Sequence, residues 1–176
     1  MLRVSPRLRT GLLAALLVLQ TGLASAQAPS SPPREAPPPA GVNLPRFVSL
    51  RSDEVNLRTG PGVRYPVEWV LQRRYMPVEV LAEFENWRKI RDWQGTEGWV
   101  HQSMLSGRRY AIITGDLRVI RRQPDGNSPA VARLEPGVVA QIIECKDQWC
   151  RLDTNGLKGW LTRNEFWGVY GNEAVK

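Results

Sequence analysis

Residues able to do acid–base, nucleophilic or metal chemistry are few in this chain. Its 176 residues hold one histidine, His101, and two cysteines, Cys145 and Cys150. One imidazole cannot build a multi-histidine metal site, and no cofactor is expected. His101 with a thiol would be the minimum for a cysteine nucleophile, but both thiols lie in the other half of the chain and are better explained by each other. Asp53, Glu54, Asp92 and Glu97 offer carboxylates for acid–base work, yet no pattern singles out two of them. Scattered acids are usually solvated surface. Gly60-Pro61-Gly62 is a turn device and not a phosphate loop, because no Lys-Ser/Thr follows. The chain is read as non-catalytic.

Binding chemistry is better represented. Tyr65, Trp69, Trp87, Trp93 and His101 are the candidate ligand contacts, since small barrels bind in grooves between loops with aromatic walls. Trp87 and Ile90 are an odd number of positions apart and point to opposite faces of a regular strand. With Ile90 in the core, Trp87 lies at least partly outside it, unless a bulge intervenes. Trp93 flanks a turn and is expected to be exposed. For both, packing over the linker is the competing role. Trp99 and Trp160 each sit inside a strand beside an aliphatic residue and are expected in the core.

These side chains hang on a repeated hairpin. The stretch from Trp87 to Val100 reads as two short strands around a tight Gln94-Gly95 turn. About sixty residues later the stretch from Trp149 to Leu161 repeats it, with Asn155-Gly156 as a stronger turn. Trp, an aliphatic three residues on, a Gly turn, then Gly-Trp-aliphatic, twice in one chain, is an internal repeat. Val78, Val80 and Ala82 alternate as a half-buried strand should, and Val138, Ala140 and Ile142 match Met76, Val78 and Val80 at an offset of 62. No segment from Arg46 onward has helical period with caps at both ends. Five residues join the two units, which predicts that they pack together or hold a fixed orientation.

A two-residue turn at Asp147-Gln148 would place Lys146 opposite Trp149 and Cys145 opposite Cys150. The short Cα separation of a non-hydrogen-bonded pair suits a disulfide. A redox-active pair and two free thiols are the alternatives. The spacing is four residues and not the two of a redox motif, which favours the structural bridge. The offset of 62 maps these cysteines onto Glu83 and Arg88, predicting an exposed cross-strand ion pair in the first unit.

The N-terminus adds an address. Arg3, Arg7 and Arg9 precede the apolar run from Gly11 to Leu23, and Ala24-Ser25-Ala26 is a small-residue cleavage site. Residues 1–26 are therefore read as a signal peptide, with no membrane span left after cleavage and a periplasmic or secreted mature chain; a retained membrane anchor is the alternative. Cleavage removes three of the 24 basic residues and none of the 17 acidic ones, taking the net charge from +7 to +4. Residues 27–45 hold seven prolines, counting Pro29 and Pro45 at the ends. They read as a disordered, extended spacer; a ligand for a proline-reading domain is the alternative.

Val55-Asn56-Leu57-Arg58-Thr59-Gly60-Pro61-Gly62, then Trp87-x-x-Ile90 and Gly98-Trp99-Val100-His101, resemble the bacterial SH3-like domain family. The second copy keeps Trp149, Leu152 and Gly159-Trp160-Leu161 but lacks Gly-Pro-Gly. The resemblance, to exported tandem SH3-like proteins of Gram-negative bacteria, implies an all-β chain of two small five- to six-stranded barrels over residues 46–107 and 108–170, with a tail over 171–176. It also implies a binding role toward a peptidoglycan peptide or another cell-envelope ligand, since related domains direct wall hydrolases. Such a ligand is expected in the first barrel, between the glycine loop and the Trp87–Trp93 hairpin, because the second has Thr154 where the first has Trp93.

A periplasmic adaptor for an envelope protein is the alternative function. A nucleic-acid groove is a further one: Arg88, Lys89 and Arg91 interleave with Trp87 and Trp93, and Arg73-Arg74 and Arg108-Arg109 extend the basic surface. Glu83, Glu85, Asp92 and Glu97 dilute that surface, and export removes most nucleic acid from reach, so no nucleic-acid partner is expected.

Overall fold

The computed structural model describes residues 43–176. The expected signal peptide, and all of the expected linker except Asn43, Leu44 and Pro45, lie outside the described residues. Leu44 packs against the core of the first barrel.

Seven strands make the first unit: β1 (Arg46–Leu50), β2 (Val55–Arg58), β3 (Val67–Leu71), β4 (Pro77–Phe84), β5 (Trp87–Arg91), β6 (Glu97–His101) and β7 (Leu105–Ser106). They form one antiparallel sheet in the order β3-β2-β6-β5-β4-β1-β7. The second unit runs β8 (Tyr110–Ile113), β9 (Arg118–Arg121), β10 (Ala130–Leu134), β11 (Val139–Lys146), β12 (Trp149–Thr154), β13 (Leu157–Thr162) and β14 (Phe166–Trp167). Its order, β10-β9-β13-β12-β11-β8-β14, is the same permutation. The internal repeat is thus a repeated all-β fold, with a 3-10 turn before β7 and before β14 as the described helical content.

Each unit closes on its own core. Leu50, Leu57, Val78, Val80, Ile90 and Val100 fill the first; Ile113, Ile120, Ala140, Ile142, Leu152 and Leu161 fill the second. Register shifts interrupt β4 between Val80 and Ala82 and β11 between Ile142 and Glu144, so one bulge bends each sheet at the equivalent place. The glycine of each Gly-Trp pair is required by close approach. A Cβ on Gly98 would lie 2.5 Å from Leu57 Cγ, and one on Gly159 would lie 2.8 Å from Ile120 Cβ.

Strand alternation corrects the expectation for Trp99. Gly98 and Val100 are buried, so Trp99 between them faces outward and is only half-buried. Trp160 is buried, with Lys146 Nζ 5.9 Å from its ring centre, although the inward residue at that point is Leu161. The two hairpins also differ. Asn155 (φ 52°) and Gly156 (φ 87°) make the expected two-residue turn between Thr154 and Leu157. In the first barrel the tight turn is replaced by a wider loop, Asp92 to Thr96, closed by the Asp92 N–H to the Thr96 carbonyl at 3.0 Å.

Cys145 and Cys150 are cross-strand partners, 4.0 Å apart at Cα, and form a disulfide. Glu83 faces Arg88 in the first barrel and pairs with its Nε at 3.2 Å. That pair is not the exposed one expected: Glu83 is buried and also takes Arg46 at 2.6 Å.

The last residues are not a separate tail. Val175 is buried against the second core and its carbonyl accepts from the Cys145 N–H at 3.0 Å. Arg109 grips both Glu173 carboxylate oxygens. Burial pushes the Glu173 carboxyl up, but the Arg109 bonds and the Tyr170 N–H outweigh it and hold it below its ordinary value.

The two barrels hold each other through aromatic side chains. Phe47 meets Trp167 edge-on at 4.8 Å and Tyr170 at 4.6 Å. The Tyr170 hydroxyl donates to Glu79 at 2.6 Å, while Arg91 binds the other Glu79 oxygen. Tyr75 stacks on Tyr110 at 4.7 Å.

Candidate functional site

Two exposed tryptophans of the first barrel share a cleft. Trp69, on β3, is 58% exposed, and Trp93, in the loop between β5 and β6, is 37% exposed. They line a cleft of about 320 Å³ with Val70, Arg73, Met76 and Asp92. The position follows from the topology. β3 is the edge of its sheet, so one side of it has no strand partner. Val67 and Val70 on that strand are exposed as well.

Asp92 presents Trp93, a structural role in place of the acid–base one its carboxylate offered. Its buried carboxylate accepts from the Gln94 N–H at 2.9 Å and the Thr96 N–H at 2.8 Å. Its carbonyl takes the Gly95 N–H at 3.1 Å, where Gly95 adopts φ 90°. The available signal was Asp-x-x-Gly, an acceptor side chain followed by a residue free to turn left-handed.

The other candidates do not join this cleft. Trp87 and His101 are cross-strand partners, ring centres 5.5 Å apart, at the far end of β5. Arg91 is four residue steps along the strand from Trp87, about 13 Å at the usual rise. His101 Nδ1 is 2.7 Å from Ser103 Oγ. Tyr65 lies over its own loop: a Cβ on Gly60 would sit 2.4 Å from the Tyr65 ring, so that glycine is a seat for the ring. Arg58 Nη1 ties the loop down through the Tyr65 carbonyl at 2.8 Å. The expected single site between the glycine loop and the Trp87–Trp93 hairpin therefore separates into three places.

The second barrel has no copy of the aromatic cleft. Trp69 pairs with Leu57, and the equivalent pairing in the second barrel is Ala132 with Ile120. Thr154 aligns with Asp92 and not with Trp93, because Leu152 matches Ile90 across the equivalent glycines. Asn155-Gly156 then replaces the whole loop that carries Trp93.

The basic residues of β5 are neutralised in place. Arg88 meets Glu83 at 3.2 Å, Lys89 meets Glu97 at 3.1 Å and Arg91 meets Glu79 at 2.6 Å. This strand does not offer the open cationic track that a nucleic-acid backbone needs. Among the described residues no group of three or more His, Cys, Asp and Glu is placed to hold a metal, and no helix is long and apolar enough to cross a membrane.

Known proteins are similar to this chain over part of their length. The putative N-acetylmuramoyl-L-alanine amidase YrvJ of Bacillus subtilis strain 168 is 22% identical over 132 residues, which cover 65% of this chain and 25% of that protein. The chain thus spans about a quarter of the length of that curated relative. Among solved structures, NlpC2 from Trichomonas vaginalis is 12% identical, covering 73% of this chain and 50% of that chain with a TM-score of 0.34. An NlpC/P60 family protein from Bacillus cereus ATCC 10987 is 13% identical, covering 69% and 56% with a TM-score of 0.31. Superpositions this loose bear on neither ligand nor mechanism. The model of the bacterial SH3 domain matches twice, over residues 51–107 and 115–168, one match on each barrel. With both barrels matched, the chain belongs to the bacterial SH3 domain family.

Proposed function

We propose that this chain is an exported, non-catalytic binding module whose first barrel holds a cell-wall peptide in the Trp69–Trp93 cleft. The observation that carries the reading is the pair of exposed tryptophans across one cleft beside an unpaired sheet edge. An extended peptide can add to such an edge through main-chain hydrogen bonds while its side chains or attached sugar meet the indoles. The name of the Bacillus subtilis relative, an amidase of N-acetylmuramoyl-L-alanine, supports a wall peptide as the ligand class. A disulfide supports an oxidising, extracytoplasmic location.

A non-catalytic role is supported by how the reactive groups are spent. Both sulfurs are in the disulfide. Buried Glu79, Glu83 and Asp92 are each held by arginines or backbone N–H groups.

The test is binding of the mature protein to purified peptidoglycan sacculi. Trp69→Ala and Trp93→Ala should each weaken it about tenfold, the equivalent of 1.4 kcal/mol, because stacking on one exposed indole contributes about 0.5–1.5 kcal/mol on top of the apolar area it buries. Normal binding by both variants would overturn the assignment. The same edge would suit an extended segment of an envelope protein. In that second reading, muropeptides fail to compete while the protein segment does.

A further inference from the structure

A second groove lies between the barrels and has different chemistry. It holds about 530 Å³, with Arg73, Arg74 and Tyr75 of the first barrel on one side and Tyr110, Gln141 and Asp153 of the second on the other. Arg74 and Tyr75 also line an adjoining cleft of about 310 Å³ with Arg51 and Arg108. Four arginines thus line two adjoining clefts that share Arg74 and Tyr75. Arg51, Arg73, Arg74 and Arg108 are all exposed. The carboxylates near them are Asp153, which Lys158 meets at 3.8 Å, and Asp53, 4.0 Å from Arg74. Arg109, expected to share this surface, is instead engaged by Glu173.

The equivalent surface of the first barrel offers a comparison. In the first barrel, Phe47, Glu79, Arg91 and Glu97 form one row across four strands. The equivalent row of the second barrel is Tyr110, Gln141, Asp153 and Lys158. The first row is covered by a segment of this chain: Trp167 and Tyr170 pack on Phe47, and Tyr170 bonds Glu79. The equivalent place on the second barrel is the groove.

We infer that this inter-barrel groove binds an extended acidic peptide segment of a partner protein. The covered row in the first barrel is a precedent for a peptide occupant, and the four arginines set the sign of its charge. Gln141 and Asn155 supply neutral groups for peptide amides. Tyr75 is already stacked on Tyr110 and carries Arg74 5.1 Å from its ring centre, so its ring is engaged within the protein and is not a free platform for a nucleobase. Asp153 in the wall disfavours a polyanion charged at every unit, whereas a peptide can place an uncharged residue there.

The test uses the mature chain and fluorescent hexaglutamate in an anisotropy titration, with hexaglycine and a short oligothymidylate as controls. Hexaglutamate should bind at least about tenfold more tightly than either control, and more weakly as salt rises. The double variant Arg74→Gln/Arg108→Gln should lose about tenfold. Gln141→Trp, which fills the groove without changing charge, should lose a similar amount. All three positions are exposed, so the fold is retained. Trp69→Ala and Trp93→Ala should leave hexaglutamate binding unchanged, which separates this site from the aromatic cleft. Equal binding of hexaglutamate and hexaglycine, equal or tighter binding of oligothymidylate, or full affinity in either groove variant would overturn the inference.

Discussion

Glu83 and Cys145 occupy one position of the repeat, and their partners Arg88 and Cys150 occupy another. The first barrel closes this pair with charge and the second with a covalent bond. The bridge spans a sequence separation of only 5, so it removes little chain entropy; reduction should cost about 2 kcal/mol, read from urea melts with and without reductant. Glu83 is buried between two arginines, both with some access to water. Glu83→Ala should therefore cost about 2 kcal/mol, less than stranding a fully buried charge. Because the registers coincide, Glu83→Cys/Arg88→Cys should oxidise to a second bridge. Intact mass should be lower by two hydrogens, and free thiols in the unfolded, non-reduced variant would contradict the equivalence.

At the scale of the element, the hairpin decides where a tryptophan points. Asn155-Gly156 was legible in the sequence because both residues of that turn need positive φ, which few residue pairs accept. The Cys145–Cys150 pairing was legible because the two-residue turn at Asp147-Gln148 fixes the register of the strands around it. The Asp92–Thr96 loop was not, because its stability comes from one carboxylate accepting two N–H groups, and a turn dipeptide does not reveal that. Trp99 was misplaced because Gly-Trp-aliphatic reads as apolar throughout, whereas alternation admits only Gly98 and Val100 to the interior. The Trp69–Trp93 cleft depends on β3 being an edge, which sheet order sets and composition does not. Asp92 is a positioning residue for the proposed site. Asp92→Ala should weaken sacculus binding about as much as Trp93→Ala, through a loosened loop. Asp92→Asn keeps an acceptor oxygen and should restore most of the binding. A general loss of stability would instead lower binding equally in both variants.

At the scale of the molecule, Tyr170 decides how firmly the two barrels are held. Its hydroxyl bonds Glu79 of the first barrel while its ring packs on Phe47. Burial is the larger cause, and the bond to the Glu79 carboxylate the next, of a Tyr170 phenol held well above its ordinary range. An unfolded tyrosine ionises near pH 10. The folded-state value is higher, so the folded protein keeps a proton that the unfolded chain gives up. This contribution is therefore complete below about pH 10 and is lost as pH rises toward the folded value. Tyr170→Phe keeps the ring contact with Phe47 and removes the hydroxyl; Glu79 retains Arg91. The variant should lose about 1.5–3 kcal/mol at neutral pH, the range for a hydrogen bond to a charged group. Above about pH 10 its melting temperature should fall less steeply than that of the parent, so the two curves converge. Parallel curves through that range would show that the Tyr170–Glu79 bond does not couple the barrels.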